Sequence, residues 1–105
     1  MSKEVHLSEH GEARGKERVG LNAKALRRTA AKARAEGLRP TDTNGRLRRY
    51  LDKISIEHPG RHPRIHGEHI FIFAASTLIT VLNLPHEFRN AAAKARRKKF
   101  PSTDE

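Results

Sequence analysis

The chain has 105 residues, 22 of them Lys or Arg against 12 Asp or Glu, for a formal charge of +10. That length holds one domain with a modest core and no second one, and the charge imbalance favours polyanionic partners, with RNA, DNA and anionic lipid as the classes that fit. The absence of cysteine excludes a disulfide frame, a thiolate metal site and a cysteine nucleophile, and suits a reducing compartment, so a cytoplasmic location is expected.

Ser8 to Val19 is predicted as a helix, with Ser8 as N-cap, Glu9 and Glu12 near its positive end and Gly20 as the stop. Gly11 and Gly15 weaken it. A second helix is capped by Asn22, runs through AKALRRTAAKARAE and ends at Gly37 in a left-handed stop, with Leu38 packing back on the last turn. On it Leu26, Ala30 and Ala33 form a narrow apolar stripe, while Lys24, Arg28 and Lys32 form a basic line at four-residue spacing. The RPTDTNG linker supplies turn formers and caps. Leu47, Tyr50, Leu51 and Ile54 then follow at the spacing of a third, short helix that ends before Pro59. Ile54 to Glu57 also alternates as an extended segment would. HPGRHP is a loop.

Arg64 to Pro85 collects most of the strand-forming residues of the chain and reads as a sheet. A two-residue turn at Gly67 and Glu68 sets His66 opposite His69 and Arg64 opposite Phe71, with Ile65 and Ile70 pointing the other way. A second reversal around Ala75 and Ser76 pairs Phe73 with Leu78, Phe71 with Thr80 and Ile72 with Ile79. One face then carries Ile65, Ile70, Ile72, Ile79 and Val81 and is expected under the helices. The other carries Phe71, Phe73, Leu78 and Leu82 with Arg64, His66, His69 and Thr80, and is expected to be partly open for nucleic-acid contact. Pro85 opens a last helix, with Glu87 near its positive end, Phe88, Ala92 and Ala95 on the buried stripe, and Arg96, Arg97, Lys98 and Lys99 at its C-terminus, where they also complement the helix dipole. The expected fold is α+β, a single domain over residues 1–99 in the order ααα-βββ-α. It has a three-stranded antiparallel meander and a flexible tail at 100–105. The N-terminus lacks the apolar core of a signal peptide, and the apolar run after His69 is too short to span a bilayer, so a soluble protein without a membrane partner is expected.

His58, His62, His66 and His69 lie close in sequence to Arg61 and Arg64. Two imidazoles beside a guanidinium can cleave RNA without a metal. One takes the proton of the ribose 2′-hydroxyl, another protonates the leaving oxygen, and Arg stabilises the charged phosphorane. The plainer reading is a set of solvated imidazoles on a loop and hairpin. His62, His66, His69 and Glu68 offer metal-ligand atoms but at no recognised ligand spacing, so neither a metal nor another cofactor is expected. His6, His10, Arg14 and Arg18, four residues apart on a helix, form a ridge that could read phosphates or simply be solvated. The candidate catalytic set is thus Arg64, His66, His69 and Thr80, assisted by His10 and Arg14. Lys24, Arg28, Lys32, Arg48, Arg49, Arg96, Arg97 and Lys98 are the candidate phosphate contacts, which give affinity and orientation but little sequence readout.

The stretches ERVGLNAKAL, GRLRRYLDK and PRIHGEHIFIF running into LITVLNLP resemble a set of small bacterial and phage-associated basic proteins. More remotely, helices followed by a small antiparallel sheet ending in a strand such as LITVLNLP are similar to the barnase, EndoU, colicin and RelE group of toxin-like ribonucleases, over roughly the first 85 positions. That resemblance implies an RNA-cleaving or RNA-binding surface on the sheet, a partner antitoxin, and polar roles for His10 and Arg14 on the leading helix and Thr80 on the last strand. RNA binding is therefore the expected function, with metal-independent cleavage as its sharper form. The rival is a noncatalytic, phage-encoded or ribosome-associated module whose basic face covers a nucleic acid, RNA or DNA, or an acidic protein.

Overall fold

The computed structural model describes residues 4–101; the end of the expected tail, 102–105, lies outside them. The fold is α+β. A short strand β1 (His6–Leu7) leads into three helices, α1 (Glu9–Val19), α2 (Ala23–Glu36) and α3 (Gly45–Glu57). Strands β2 (His62–His66), β3 (His69–Ala74) and β4 (Thr77–Asn83) and a last helix α4 (Arg89–Lys99) complete it. The sheet order is β1-β4-β3-β2, with β1 parallel to β4 and the other neighbours antiparallel. The expected meander is therefore present, but a fourth strand extends it into a mixed sheet. The His6 amide donates to the Ser76 carbonyl at 2.9 Å and the Ser8 amide to that of Leu78 at 3.1 Å. Val5, just before β1, is buried with Phe71 and Phe73.

Local chemistry sets most element ends. The Ser8 hydroxyl accepts from the Gly11 amide and donates to the Leu78 carbonyl, both at 2.9 Å, so one side chain caps α1 and fastens it to β4. Gly20 stops α1 in the left-handed region, and the Asn22 side chain caps α2 by accepting from the Ala25 amide. Gly11 and Gly15, which oppose helix formation, are needed for contact. A Cβ on Gly11 would strike the Leu78 carbonyl, and one on Gly15 would strike the Leu26 side chain. Gly37 departs from the expected left-handed stop: its backbone is extended, φ −63°. Space accounts for this glycine, since a Cβ there would meet the Ala33 and Ile65 carbonyls and the Arg64 Cβ. Leu38 then pairs with Ile65 on the outer edge of β2, each amide donating to the other's carbonyl at 2.9 Å. Ile54 to Glu57, which also fitted an extended segment, is the last turn of α3.

The β2–β3 register follows the expected hairpin, with His66 opposite His69 and Arg64 opposite Phe71. Gly67 is left-handed, φ 62°, as a two-residue turn with Gly first requires. In β3–β4 the expected pairing holds for Phe73 and Leu78, after which the register shifts between Ile72 and Phe73. Ile79 is left unpaired as a bulge, so Ile72 faces Thr80 and Phe71 faces Val81. Cross-strand partners share a face, which moves Val81 to the phenylalanine side and Thr80 and Leu82, the latter opposite Ile70, to the isoleucine side, the reverse of the expectation for all three.

Both faces are covered. Ile65, Ile70 and Ile72 pack with Leu38, Leu47, Leu51, Leu84, Phe88 and Ala92 under α3 and α4. Phe71, Phe73, Leu78 and Val81 pack with Val5, Leu26, Ala30 and Ala33 under α2, while α1 lies along β4. The second face is therefore not the open aromatic surface expected from the sequence. The physical reason is area: two phenylalanines, a leucine and a valine on one face need a cover, and the alanine stripe of α2 lets that helix lie close. Among the described residues no helix is long and apolar enough to cross a membrane.

Candidate nucleic-acid interface

With Phe71 and Phe73 buried, the groups available to a polyanion are cations on the helices and at the sheet ends. On α2, Lys24, Arg27, Arg28 and Lys32 are exposed. None of them forms an ion pair among the described residues. Lys24, Arg28 and Lys32 succeed one another at about 6 Å rise per step on one side of the helix. This ridge is the most coherent part of the expected interface. Arg27 belongs beside it; the four-residue spacing that marks the ridge passes over this residue.

The ridge leads to the β2–β3 hairpin. His66 is half-buried there and its ring meets that of Phe71 edge-on, with centroids 6.0 Å apart. Burial, and then the charges of Lys32 and Arg96, hold the His66 imidazole below its ordinary pKa, with Glu36 opposing. Both effects favour its neutral form. Lys32 belongs to the helical layer on one face of the sheet and Arg96 to the layer on the other, so cations from both close on this turn. Arg96 donates to the Gly67 carbonyl at 3.2 Å, and Arg89 pairs with Glu68 at 3.0 Å. His69 lies across from His66, its Nε2 3.1 Å from the Arg18 carbonyl. A carbonyl only accepts, so this nitrogen carries hydrogen and Nδ1 is the ring position left for other work.

Of the expected catalytic set, Arg64, His66 and His69 share one face of neighbouring strands, as the sequence implied. The other three do not join them. Thr80 lies on the opposite face because of the bulge. His10 is at the far end of α1 from Arg18, about 12 Å along the axis, because the helix starts beside Leu78 and finishes beside His69. Arg14 is paired with Glu17 at 2.8 Å. His6 is in β1 rather than on the helix, so the ridge expected from His6 to Arg18 is broken. His58 follows α3 and His62 opens β2, both exposed. Among the described residues no three His, Asp or Glu side chains stand together as a metal site.

On the other layer, Arg48 is paired with Asp52 at 3.4 Å, whereas Arg49 is exposed and unpaired among the described residues. Arg97 and Lys98 are exposed and, with Lys94, line a cleft of about 720 Å³ between α4 and the segment from Thr41 to Asn44. One wall of the cleft is fixed by Lys99, which donates to Asp42 at 2.8 Å and to the Gly37 carbonyl at 3.2 Å. Burial alone would raise the Asp42 pKa. The hydrogen bonds from Lys99 and Arg39 outweigh it and hold the carboxyl well below the usual range.

Comparison of the chain with protein-family models, curated proteins and solved structures returned no match. The likeness to toxin-like ribonucleases thus rests on the sequence stretches alone.

Proposed function

We propose that the protein binds RNA through its phosphate backbone, along the α2 ridge and over the β2–β3 hairpin. The observation that supports this most is the row of unpaired cations on α2 ending where Lys32 and Arg96, from opposite layers, flank His66. Cations that have carboxylate partners within the chain gain little from a phosphate; those without partners can release counterions on binding. With Phe71, Phe73 and Phe88 buried, base stacking has no platform on the sheet, so contact is to the backbone and its shape. A ribosomal RNA surface would satisfy the same ridge. The test is the affinity for labelled RNA and DNA duplexes of one sequence across a salt series. A steep salt dependence with tighter RNA binding is expected, whereas equal, wholly salt-governed affinities would leave only a polyanion binder.

A second reading, cleavage of the bound RNA without a metal, is supported by the cross-strand pair of His66 and His69. The neutral His66 would accept the 2′-hydroxyl proton, and His69 would protonate the leaving oxygen through Nδ1. Incubation with RNA in chelator decides it: products lost in both His66→Ala and His69→Ala are expected of an enzyme. Undiminished binding without products identifies a noncatalytic module, and capture of a small acidic protein that competes with RNA would mark an antitoxin-like partner.

A further inference from the structure

The opposite end of the sheet holds a cationic group that the α2 ridge does not include. Arg34 in the last turn of α2, His62 and Arg64 on β2, the buried Phe73 and Ala75 in the β3–β4 turn line a cavity of about 310 Å³. Arg34 is anchored, its Nε donating to the Ala75 carbonyl at 3.0 Å. Its two terminal nitrogens have no hydrogen-bond partner among the described residues. Ala75 is left-handed, φ 54°, the one non-glycine residue with positive φ among the described residues. Positive φ is what the first position of a two-residue hairpin turn requires. Arg64 donates from Nη1 to the Pro63 carbonyl at 2.9 Å, while its Nε–H is buried and has no acceptor among the described residues.

Charge balance points the same way. Burial, and then the charges of Arg39 and Arg34, depress the Arg64 pKa, and Asp42 is the one carboxylate that opposes them. Asp42 is already shared between Arg39 at 3.3 Å and Lys99 at 2.8 Å. The carbonyls at the end of α2 account for a cation at Arg34. They do not account for Arg64. The unpartnered terminal nitrogens of Arg34, in a cavity where guanidinium exceeds carboxylate, call for an anion.

We propose that this cavity binds a phosphate monoester. Two guanidinium forks and an imidazole suit the several terminal oxygens and near-double charge of a monoester better than a carboxylate, which one fork satisfies. The volume is at the small end of ligand pockets, roughly 300 to 1,000 Å³, and admits a phosphate with its adjoining sugar against Phe73. Such a group is the phosphorylated end of an RNA or a free phosphate ester. The first source rests on the RNA-binding reading; the second does not.

The test is a titration of the intact chain with inorganic phosphate, followed by NMR at the arginine Nε–H groups. Saturable shifts at Arg34 and Arg64 are expected, weakened about tenfold in Arg34→Gln and partly restored in Arg34→Lys. Arg34 is only half-buried, so these variants keep the test open if Arg64→Gln fails to fold. Shifts that do not saturate, or that Arg34→Gln leaves unchanged, overturn the proposal. Oligoribonucleotides with 5′-phosphate or 5′-hydroxyl ends then separate the sources. A preference of about tenfold for the phosphate, lost in Arg34→Gln, identifies an RNA end. No preference, with saturable inorganic phosphate binding, identifies a free ester. Phosphate binding and RNA affinity are measured apart, so loss of one without the other shows which reading fails.

Discussion

Helices α2 and α3 are short, basic and amphipathic, and each lies against one face of the same sheet, yet they dispose of their charge in opposite ways. On α3, Arg46 pairs with Glu87, Arg48 with Asp52 and Lys53 with Glu57, which leaves Arg49 as its one cation without a partner among the described residues. On α2, Lys24, Arg27, Arg28 and Lys32 have no ion-pair partner among the described residues. Cation content alone would make both helices phosphate contacts. Pairing separates them: the excess charge of the molecule is concentrated where carboxylates are missing, on α2 and on the exposed face of α4. Exposed ion pairs add little to stability, on the order of 0 to 1 kcal/mol each, but they remove the counterion release that drives nucleic-acid binding.

The comparison sharpens if the two helices are equal in structural weight. Leu26 of α2 and Leu51 of α3 are both fully buried, so Leu26→Ala and Leu51→Ala should each cost about 2 to 5 kcal/mol in chemical denaturation. A negligible cost at either site would mean that helix is a surface appendage. Gly11→Ala tests the packing beneath the α1 and α2 layer. Helix propensity favours alanine by about 1 kcal/mol, but the clash with the Leu78 backbone should reverse the sign and destabilise by about 1 to 3 kcal/mol. Stabilisation would contradict the close contact of α1 with β4.

The hairpin where the layers meet should be sensitive to acid. The folded-state pKa of His66 lies below its unfolded value of 6.5, so the unfolded chain takes up the proton first. This contribution is intact above pH 6.5 and is lost as pH falls through the lowered folded value. Thermal melts from pH 7.5 to 5 should show that decline shrinking in His66→Gln; an unchanged slope would show that burial and the charges of Lys32 and Arg96 do not depress the pKa of this ring. The smallest effect is expected on α3, where Arg48→Gln should change RNA affinity by about twofold or less.

The parts of this fold legible in the sequence are those whose cause is local. Ser8 and Asn22 announce their helices because a cap needs only an oxygen a few residues from an amide, and Gly67 fixes the hairpin register because a two-residue turn permits little else. Strand β1 was hidden: two residues carry no periodicity, and their partners lie at Thr77 and Leu78. The bulge at Ile79 was hidden as well, since β-branched residues fit either face. It displaced Thr80 from the expected site, carried Val81 to the phenylalanine side and Leu82 to the isoleucine side. The α2 ridge was legible from its spacing, and the pairing of Arg48 with Asp52 could have been read in the same way. Arg34 could not, because its link to Arg64 is made by the crossing of α2 over the sheet and by no pattern along the chain.

The most direct test neutralises equal charge on the two helices. Salt dependence of RNA affinity is measured for the parent, for Lys24→Gln/Arg28→Gln/Lys32→Gln and for Arg46→Gln/Arg48→Gln/Lys53→Gln. The α2 variant should lose about 2 to 3 units of the log–log salt slope, one fraction for each phosphate contact removed, while the α3 variant keeps the parent slope. Equal losses in both, or a slope unmoved by the α2 changes, would contradict the assignment of the interface to unpaired cations.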